Sequence, residues 1–236
     1  MKKILLIGSG GIGRRHIKAY QSTKRAVISI VEPSREKILK IKNDFDIQDS
    51  YEEINSVDLS KYNLALICSP ANFHVDAMKL CALNKLPFMV EKPLSTSMKG
   101  VDEVIDLVKK NNLFARVGYT RRNSYEARAL KENIVNKKIG EIKLAYINSS
   151  QEFPKYRPDF QKIYYAHPEM GGGAILDAAT HMIDQLIWII GEPSEVSCMF
   201  DRLVLEGTNT EDTCLINIRF KNGTMANITV NQFQKP

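Results

Sequence analysis

The sequence predicts an α/β protein: a doubly wound parallel sheet over residues 1–119, then an α+β unit over 120–236 whose sheet is largely antiparallel. Three observations carry that reading. Short apolar runs alternate with helix-period segments through the first half, and a glycine-rich turn joins the first run to the first helix. From about Thr120 the alternation gives way to helices followed by strand-like segments.

The first strand, Ile4-Leu5-Leu6-Ile7, runs into Gly8-Ser9-Gly10-Gly11-Ile12-Gly13, and a helix is expected from Arg14. A second strand, Ala26 to Val31, ends in Glu32, and Arg35 to Asp44 reads as a helix with Ile38, Leu39 and Ile41 inward. Leu64 to Cys68 is a continuous apolar run, as expected of a strand buried on both faces. Ser69-Pro70 stops it, and Asn72 can cap a helix carrying Val75, Met78, Leu80 and Leu83. Phe88-Met89-Val90 is the next strand, ended by Pro93. Ser97 to Lys110 reads as a helix with Val101, Val104, Ile105 and Val108 on one face, and Leu113 to Val117 as a strand closed by Gly118. In the second half a helix is expected over Tyr125 to Lys137 and a strand over 141–152. A loop containing Pro154, Tyr156, Pro158, Tyr164, Tyr165 and Pro168 follows, then Gly171-Gly172-Gly173 and a helix to Ile190 stopped by Gly191 and Pro193. Cys214, Ile216, Ile218 and Phe220 alternate in a strand, and Lys221-Asn222-Gly223 turns it back into Thr224 to Phe233. A strand at the very end is a poor place for a domain to stop, so either the fold is compact or the chain is a piece of a longer one.

At 236 residues, 44% hydrophobic and 25% charged, the chain can bury a sizeable core. The net charge of +6 is dispersed, with no basic tract interleaved with aromatics, so a nucleic-acid partner is not expected. No apolar run suggests a membrane span. Met1-Lys2-Lys3 resembles a signal peptide only superficially, because Gly8 interrupts the apolar stretch and Arg14-Arg15 stand where a cleavage site belongs. Cys68, Cys81, Cys198 and Cys214 form no C-x-x-C pair; buried free thiols in a reducing cytoplasm are expected, without disulfides or a metal.

The glycine turn is the shape a backbone needs to hold a dinucleotide pyrophosphate. Gly8 permits the tight turn, Gly10 lets phosphates approach the main chain, and Gly13 lets the helix sit close to the strand. Unpaired N–H groups at the start of the helix then meet the negative charge. Glu32 stands near the ~20-residue spacing at which a carboxylate meets the adenosine ribose and repels a 2′-phosphate, favouring NAD over NADP. Arg35 and Lys37 temper that preference. Lys92, in Glu91-Lys92-Pro93, ends a strand at the sheet edge where ligands bind; a surface lysine explains it equally well. Asp177 and His181, four apart, share a helix face among apolar neighbours, and by themselves are better explained as a hydrogen-bonded core pair. His74 is read evenly as packing or as a cofactor contact, His16 as a local contact, and Arg121-Arg122 as surface charge or substrate contact. A metal is a poor fit, since no third ligand completes a set.

Taken together, Gly8 to Gly13 with His16, Ser69-Pro70 with Asn72 and His74, Glu91-Lys92-Pro93, and Gly171 to Gly173 with Asp177 and His181 resemble the glucose–fructose oxidoreductase/inositol dehydrogenase (Gfo/Idh/MocA) family. The segment Val117 to Arg122 is similar too. The resemblance implies an N-terminal Rossmann domain, an open C-terminal sheet that mediates homodimers or homotetramers, and hydride transfer between NAD(P) and a hydroxyl-bearing carbon of a sugar, cyclitol or sugar nucleotide. It implies cofactor contacts from Gly8, Gly10, Gly11, Ile12, Gly13, Glu32, Ser69, Asn72, His74, Glu91 and Lys92. Substrate contacts are expected from Tyr119, Arg121 and Tyr165. Lys92, Asp177 and His181 take the places of catalytic residues, which reverses the reading of the Asp–His pair. An imidazole, ordinarily near ~6.5, suits the proton acceptor better than an ammonium near ~10.4. The expectation is that Lys92 and His181 converge over a nicotinamide ring. The alternatives are a non-catalytic dinucleotide sensor and a reductase of a non-sugar substrate.

Overall fold

A computed structural model describes residues 1–235, and the chain divides between Gly118 and Tyr119 into two compact units. The first unit contains a six-stranded, wholly parallel sheet. Its strands are β1 (Lys2–Ile7), β2 (Ala26–Val31), β3 (Ser50–Tyr51), β4 (Leu64–Ile67), β5 (Phe88–Val90) and β6 (Ala115–Val117), in the order β3-β2-β1-β4-β5-β6. Helices α1 (Gly11–Ser22), α2 (Arg35–Asp44), α3 (His74–Leu83) and α4 (Val101–Lys110) complete the alternation. The strand order reverses between β1 and β4, the place where open α/β sheets bind ligands.

Side chains of successive strand residues point to opposite faces, and both faces of β1 are covered. Ile4 and Leu6 join Ile17, Ile28, Ile30, Ile38 and Ile41 in one cluster; Leu5 and Ile7 join Ala65, Ile67, Met78, Phe88 and Val104 in the other. That double burial is why the strands read as unbroken apolar runs. The turn after β1 is held by two close approaches. Gly8 has φ 91°, and a Cβ there would lie 2.5 Å from the Ser69 nitrogen; a Cβ on Gly13 would lie 2.3 Å from the Gly8 oxygen.

Several boundaries differ from expectation. The first helix starts at Gly11, and α4 starts at Val101 because Gly100, at φ 78°, turns the chain just before it. Leu39, Leu83 and Ile105 are exposed, so the buried stripes of their helices are narrower than the apolar pattern implied.

The second unit has α5 (Tyr125–Val135), β7 (Leu144–Ser150), α6 (Phe153–Tyr156), α7 (Thr180–Ile190), β8 (Pro193–Asp201), β9 (Thr213–Phe220) and β10 (Met225–Asn231). Ser124 caps α5 by accepting from the Ala127 N–H at 3.2 Å, and the chain leaves that helix before Lys137, which sits at φ 56°. The sheet runs β7-β10-β9-β8; β10 is parallel to β7 and the other pairs are antiparallel. Alternate residues of β9 are buried, and with Ile228 and Val230 they pack against Ala174, Ala179, Met182 and Leu186. The stretch Pro168–Ile190 has 23 residues and contains an 18-residue window with a mean hydropathy of 1.2, enough by length and composition for a membrane span, contrary to the expectation of none. Its packing on the sheet accounts for the apolar character.

Cysteine burial departs from expectation at one site. Cys68, Cys81 and Cys214 are buried, and burial pushes Cys81 and Cys214 up to about 12. Cys198 is exposed, because it lies on β8, an edge strand exposed along its whole length.

The two kinds of glycine in the turn give a paired prediction. Gly13→Ala drives a Cβ into backbone and is expected to cost about 1–3 kcal/mol in denaturant unfolding. Gly11→Ala, whose Cβ meets nothing within 4 Å, is expected to stay within about 0.5 kcal/mol of the parent.

Candidate functional site

In the first unit, α1 begins at Gly11 behind an extended Gly10. No side chain among the described residues caps this end, and its first turn carries no acidic residue. The helix start is therefore a bare, positively polarised set of N–H groups. A Cβ on Gly10 or Gly11 would meet nothing, so the front of the turn is open while Gly8 and Gly13 fasten its back. Ile12 is exposed on the same turn. Glu32, at the end of β2, is buried. One carboxylate oxygen accepts from the Ser9 N–H at 3.1 Å and the Ser9 hydroxyl at 2.7 Å, and the other accepts from the Ser34 N–H at 3.3 Å. Lys37 Nζ lies 3.8 Å from that second oxygen.

The end of β4 supplies Ser69, whose buried hydroxyl has no hydrogen-bond partner among the described residues, and Asn72, which is exposed. These features fit a dinucleotide: a bare helix start, an open glycine front, a fixed carboxylate and an orphaned hydroxyl.

His74 departs from the expected cofactor contact. It is 0% exposed, and its ring nitrogens lie 2.9 Å from the Pro93 carbonyl and 2.8 Å from the Ser69 carbonyl. It packs between the loops that follow β4 and β5, donating to one of these carbonyls when its ring is neutral, and has no surface left for a ligand. Burial pushes its pKa down, against the pull of these carbonyls.

Glu91 and Lys92 follow β5, with Lys92 half-buried and Glu91 buried. His16, read from sequence as a local contact, reaches across from α1: its Nε2 lies 2.6 Å from Glu91 Oε1. Glu91 Oε2 accepts from the Lys92 N–H at 3.3 Å.

In the second unit, the glycine run leads into a π-helical turn, Ile175–Ala179, which carries Asp177, and then α7, where His181 is the second residue. The glycines allow close passage of one chain segment over another. A Cβ on Gly172 would lie 2.2 Å from the Tyr165 oxygen, and one on Gly173 would lie 2.5 Å from the Glu211 carboxylate. Glu211 holds the start of the turn, accepting from Ile175 N–H at 2.8 Å through its carboxylate and from Ala174 N–H at 2.9 Å through its carbonyl.

The Tyr164 hydroxyl donates to Asp177 Oδ1 at 2.7 Å; burial, then the Asp177 charge, push this phenol up and keep it protonated. Tyr119 lies edge-on to His181, with ring centroids 6.0 Å apart, and its hydroxyl is 2.8 Å from Thr180 Oγ1. Tyr165 departs from the expected substrate contact. It is fully buried, its ring 4.1 Å from that of Phe153, because the chain turns Tyr164 rather than Tyr165 toward Asp177. Arg121 is exposed beside a shallow pocket of about 350 Å³ with Ser124, Glu126 and Gln185. Its neighbour Arg122 pairs through two bonds with the buried Asp184, one of them 2.8 Å, anchoring the segment after Tyr119 to α7.

Sequence reasoning missed Tyr164, Glu211 and the partner of His16. The adjacent tyrosines carry no signal of which one faces inward, and Glu211 lies 36 residues from the N–H it accepts.

Residues 2–119 match the family model described as an oxidoreductase family with an NAD-binding Rossmann fold, and residues 127–236 match the GFO/IDH/MocA C-terminal domain. Myo-inositol 2-dehydrogenase of Thermotoga maritima is 27% identical over 94% of this chain and 66% of its own length. Glucose-6-phosphate 3-dehydrogenase of Bacillus subtilis is 26% identical over 81% of this chain and 54% of its own. The chain thus spans less than two thirds of these relatives. The WlbA dehydrogenase of Bordetella pertussis, solved with NADH and UDP-GlcNAcA, shares the fold at a TM-score of 0.89 and 20% identity, covering 100% of this chain and 68% of that one. The chain belongs to the Gfo/Idh/MocA oxidoreductase family, and its first unit is that family's NAD-binding Rossmann domain.

The His74 clamp predicts a pH dependence. An unfolded imidazole takes up its proton more readily than buried His74, so the clamp's stabilisation is complete above about pH 6.5 and declines as pH falls below it. Denaturant unfolding across pH is expected to show this loss in the parent and a weaker dependence in His74→Gln; equal slopes would contradict the clamp.

Proposed function

We propose that the chain is an NAD-dependent dehydrogenase acting on a CH–OH group of a sugar, cyclitol or sugar nucleotide. The observation that carries this is the open, uncapped start of α1 beside a fixed, buried Glu32, in a chain that also carries Asp177 hydrogen-bonded by Tyr164. The polyol and sugar-phosphate substrates in the names of the two sequence relatives support the substrate class.

The N–H groups of the first turn of α1 would hold the pyrophosphate, and Glu32 would accept from ribose hydroxyls. Bound NAD would supply the two-electron acceptor at its nicotinamide. As the substrate carbon gives up its hydride, an imidazole nitrogen of His181 takes the hydroxyl proton and a C=O bond forms. Asp177 accepts a hydrogen bond from a substrate hydroxyl, its orientation fixed by Tyr164. Lys92 donates to the reacting oxygen and stabilises charge that develops there.

The exposed face of the second sheet, with Leu144, Tyr146, Met199, Leu215 and Met225 open to solvent, supports self-association into a homodimer or homotetramer. Four free cysteines support a reducing, cytoplasmic setting.

Turnover is followed by reduced-nicotinamide absorbance on a panel of inositols, sugars and sugar nucleotides. His181→Ala is expected to lower kcat by about 10²–10⁴-fold. Near-normal turnover in that variant, with Lys92→Met inactive, would exchange the two roles. NADH is expected to bind more tightly than NADPH, and Glu32→Ala to narrow the difference; tighter NADPH binding by the parent would contradict the assignment of Glu32. Tight NADH binding without turnover on any substrate would favour a dinucleotide sensor.

A further inference from the structure

We propose that the His16–Glu91 pair is a positioning element that couples the dinucleotide turn to the backbone of Lys92, so that loss of either side chain weakens cofactor binding and slows turnover together. The proposal rests on the dehydrogenase reading above. His16 stands on α1, three residues past Gly13, on the helix whose start faces the pyrophosphate. Glu91 directly precedes Lys92 at the end of β5. The two are 75 residues apart in sequence and 2.6 Å apart in space, with side-chain exposures of 17% and 11%. A hydrogen bond to a carboxylate this sheltered is stronger than a surface pair, and its loss strands a buried acceptor.

Glu91 is confined on its remaining sides. Its second oxygen accepts from the Lys92 N–H at 3.3 Å, and its main-chain N–H donates to Ile67 at 2.9 Å. Gly118, after β6, leaves room for the carboxylate: a Cβ there would lie 3.1 Å from Glu91 Oε2. The charge reaches the neighbouring strand end too, since burial and then Glu91 push the Cys68 thiol up. One carboxylate thus meets α1 and the ends of β5 and β6, and its charge is felt at the end of β4. The contacts that fix α1 through His16 therefore also fix the backbone of Lys92 through Glu91. By linkage, whatever holds Lys92 in place also favours the bound dinucleotide. A contact serving stability alone has no such consequence.

The test uses the whole chain with His16→Leu, His16→Gln, Glu91→Gln and the Leu–Gln double variant. NADH affinity is read by fluorescence titration, the fold by thermal unfolding without cofactor, and kcat and KM from steady-state rates. His16→Leu and Glu91→Gln are each expected to weaken NADH binding about tenfold and to lower kcat more than they raise the substrate KM. The double variant is expected to be no worse than the poorer single one, and His16→Gln, which keeps an N–H within reach, to recover part of the loss. Unchanged NADH affinity in folded variants, with only the unfolding temperature lowered, would reduce the pair to a structural hydrogen bond and overturn the proposal. If His16→Leu does not fold, Glu91→Gln, which keeps the carboxylate's shape, decides by the same readings. A parent that binds NADH without turning over any substrate fails the dehydrogenase reading while leaving the binding arm decisive. A parent that binds no NADH defeats both.

Discussion

The first unit depends on how closely the backbone passes itself at the turn after β1. Gly8 lies against the main chain of Ser69, and Gly13 lies against Gly8, with no room for a Cβ at either contact. Those contacts draw the start of α1 down onto the C-terminal edge of the sheet between β1 and β4. They also leave Gly10 and Gly11 facing open space. A helix start held there without a side-chain cap has N–H groups that an anion can satisfy.

The surrounding residues follow from that constraint. Glu32 is held against the same turn by Ser9, which fixes an acceptor beside the anion seat. His74 ties the loop after β4 to the loop after β5, and Glu91 ties the end of β5 to α1. In the second unit a different set of close contacts does comparable work: Gly172 and Gly173 let the π-helical turn sit on Tyr165 and Glu211, which brings Asp177 to the Tyr164 hydroxyl. In both units glycine supplies proximity, and a carboxylate then makes the contact specific.

Apart from the two-residue β3, which was not read, the alternation of β1 through α4 was legible because strands buried on both faces are continuous apolar runs between turn signals, and β9 because its alternate residues are buried. Boundaries were less so where backbone conformation decides them, as at Gly100. The partners of His16 and Ile175 could not be read, since each lies dozens of residues away and a lone His or Glu carries no periodic signal. Tyr165 was singled out where Tyr164 faces Asp177, because adjacent residues in an irregular loop share the same pattern. Cys198 reads as core by composition, yet β8 is an edge strand open on both sides.

The central claim is that the open glycine front of α1 is the seat of the dinucleotide phosphates. Calorimetric titration of NADH into the parent and into Gly10→Leu tests it directly, since the added side chain meets no protein atom within 4 Å of its Cβ. The account predicts saturable binding by the parent, a loss of at least about tenfold in the variant, and an unchanged unfolding temperature without cofactor. Equal NADH affinity in the two proteins would contradict it.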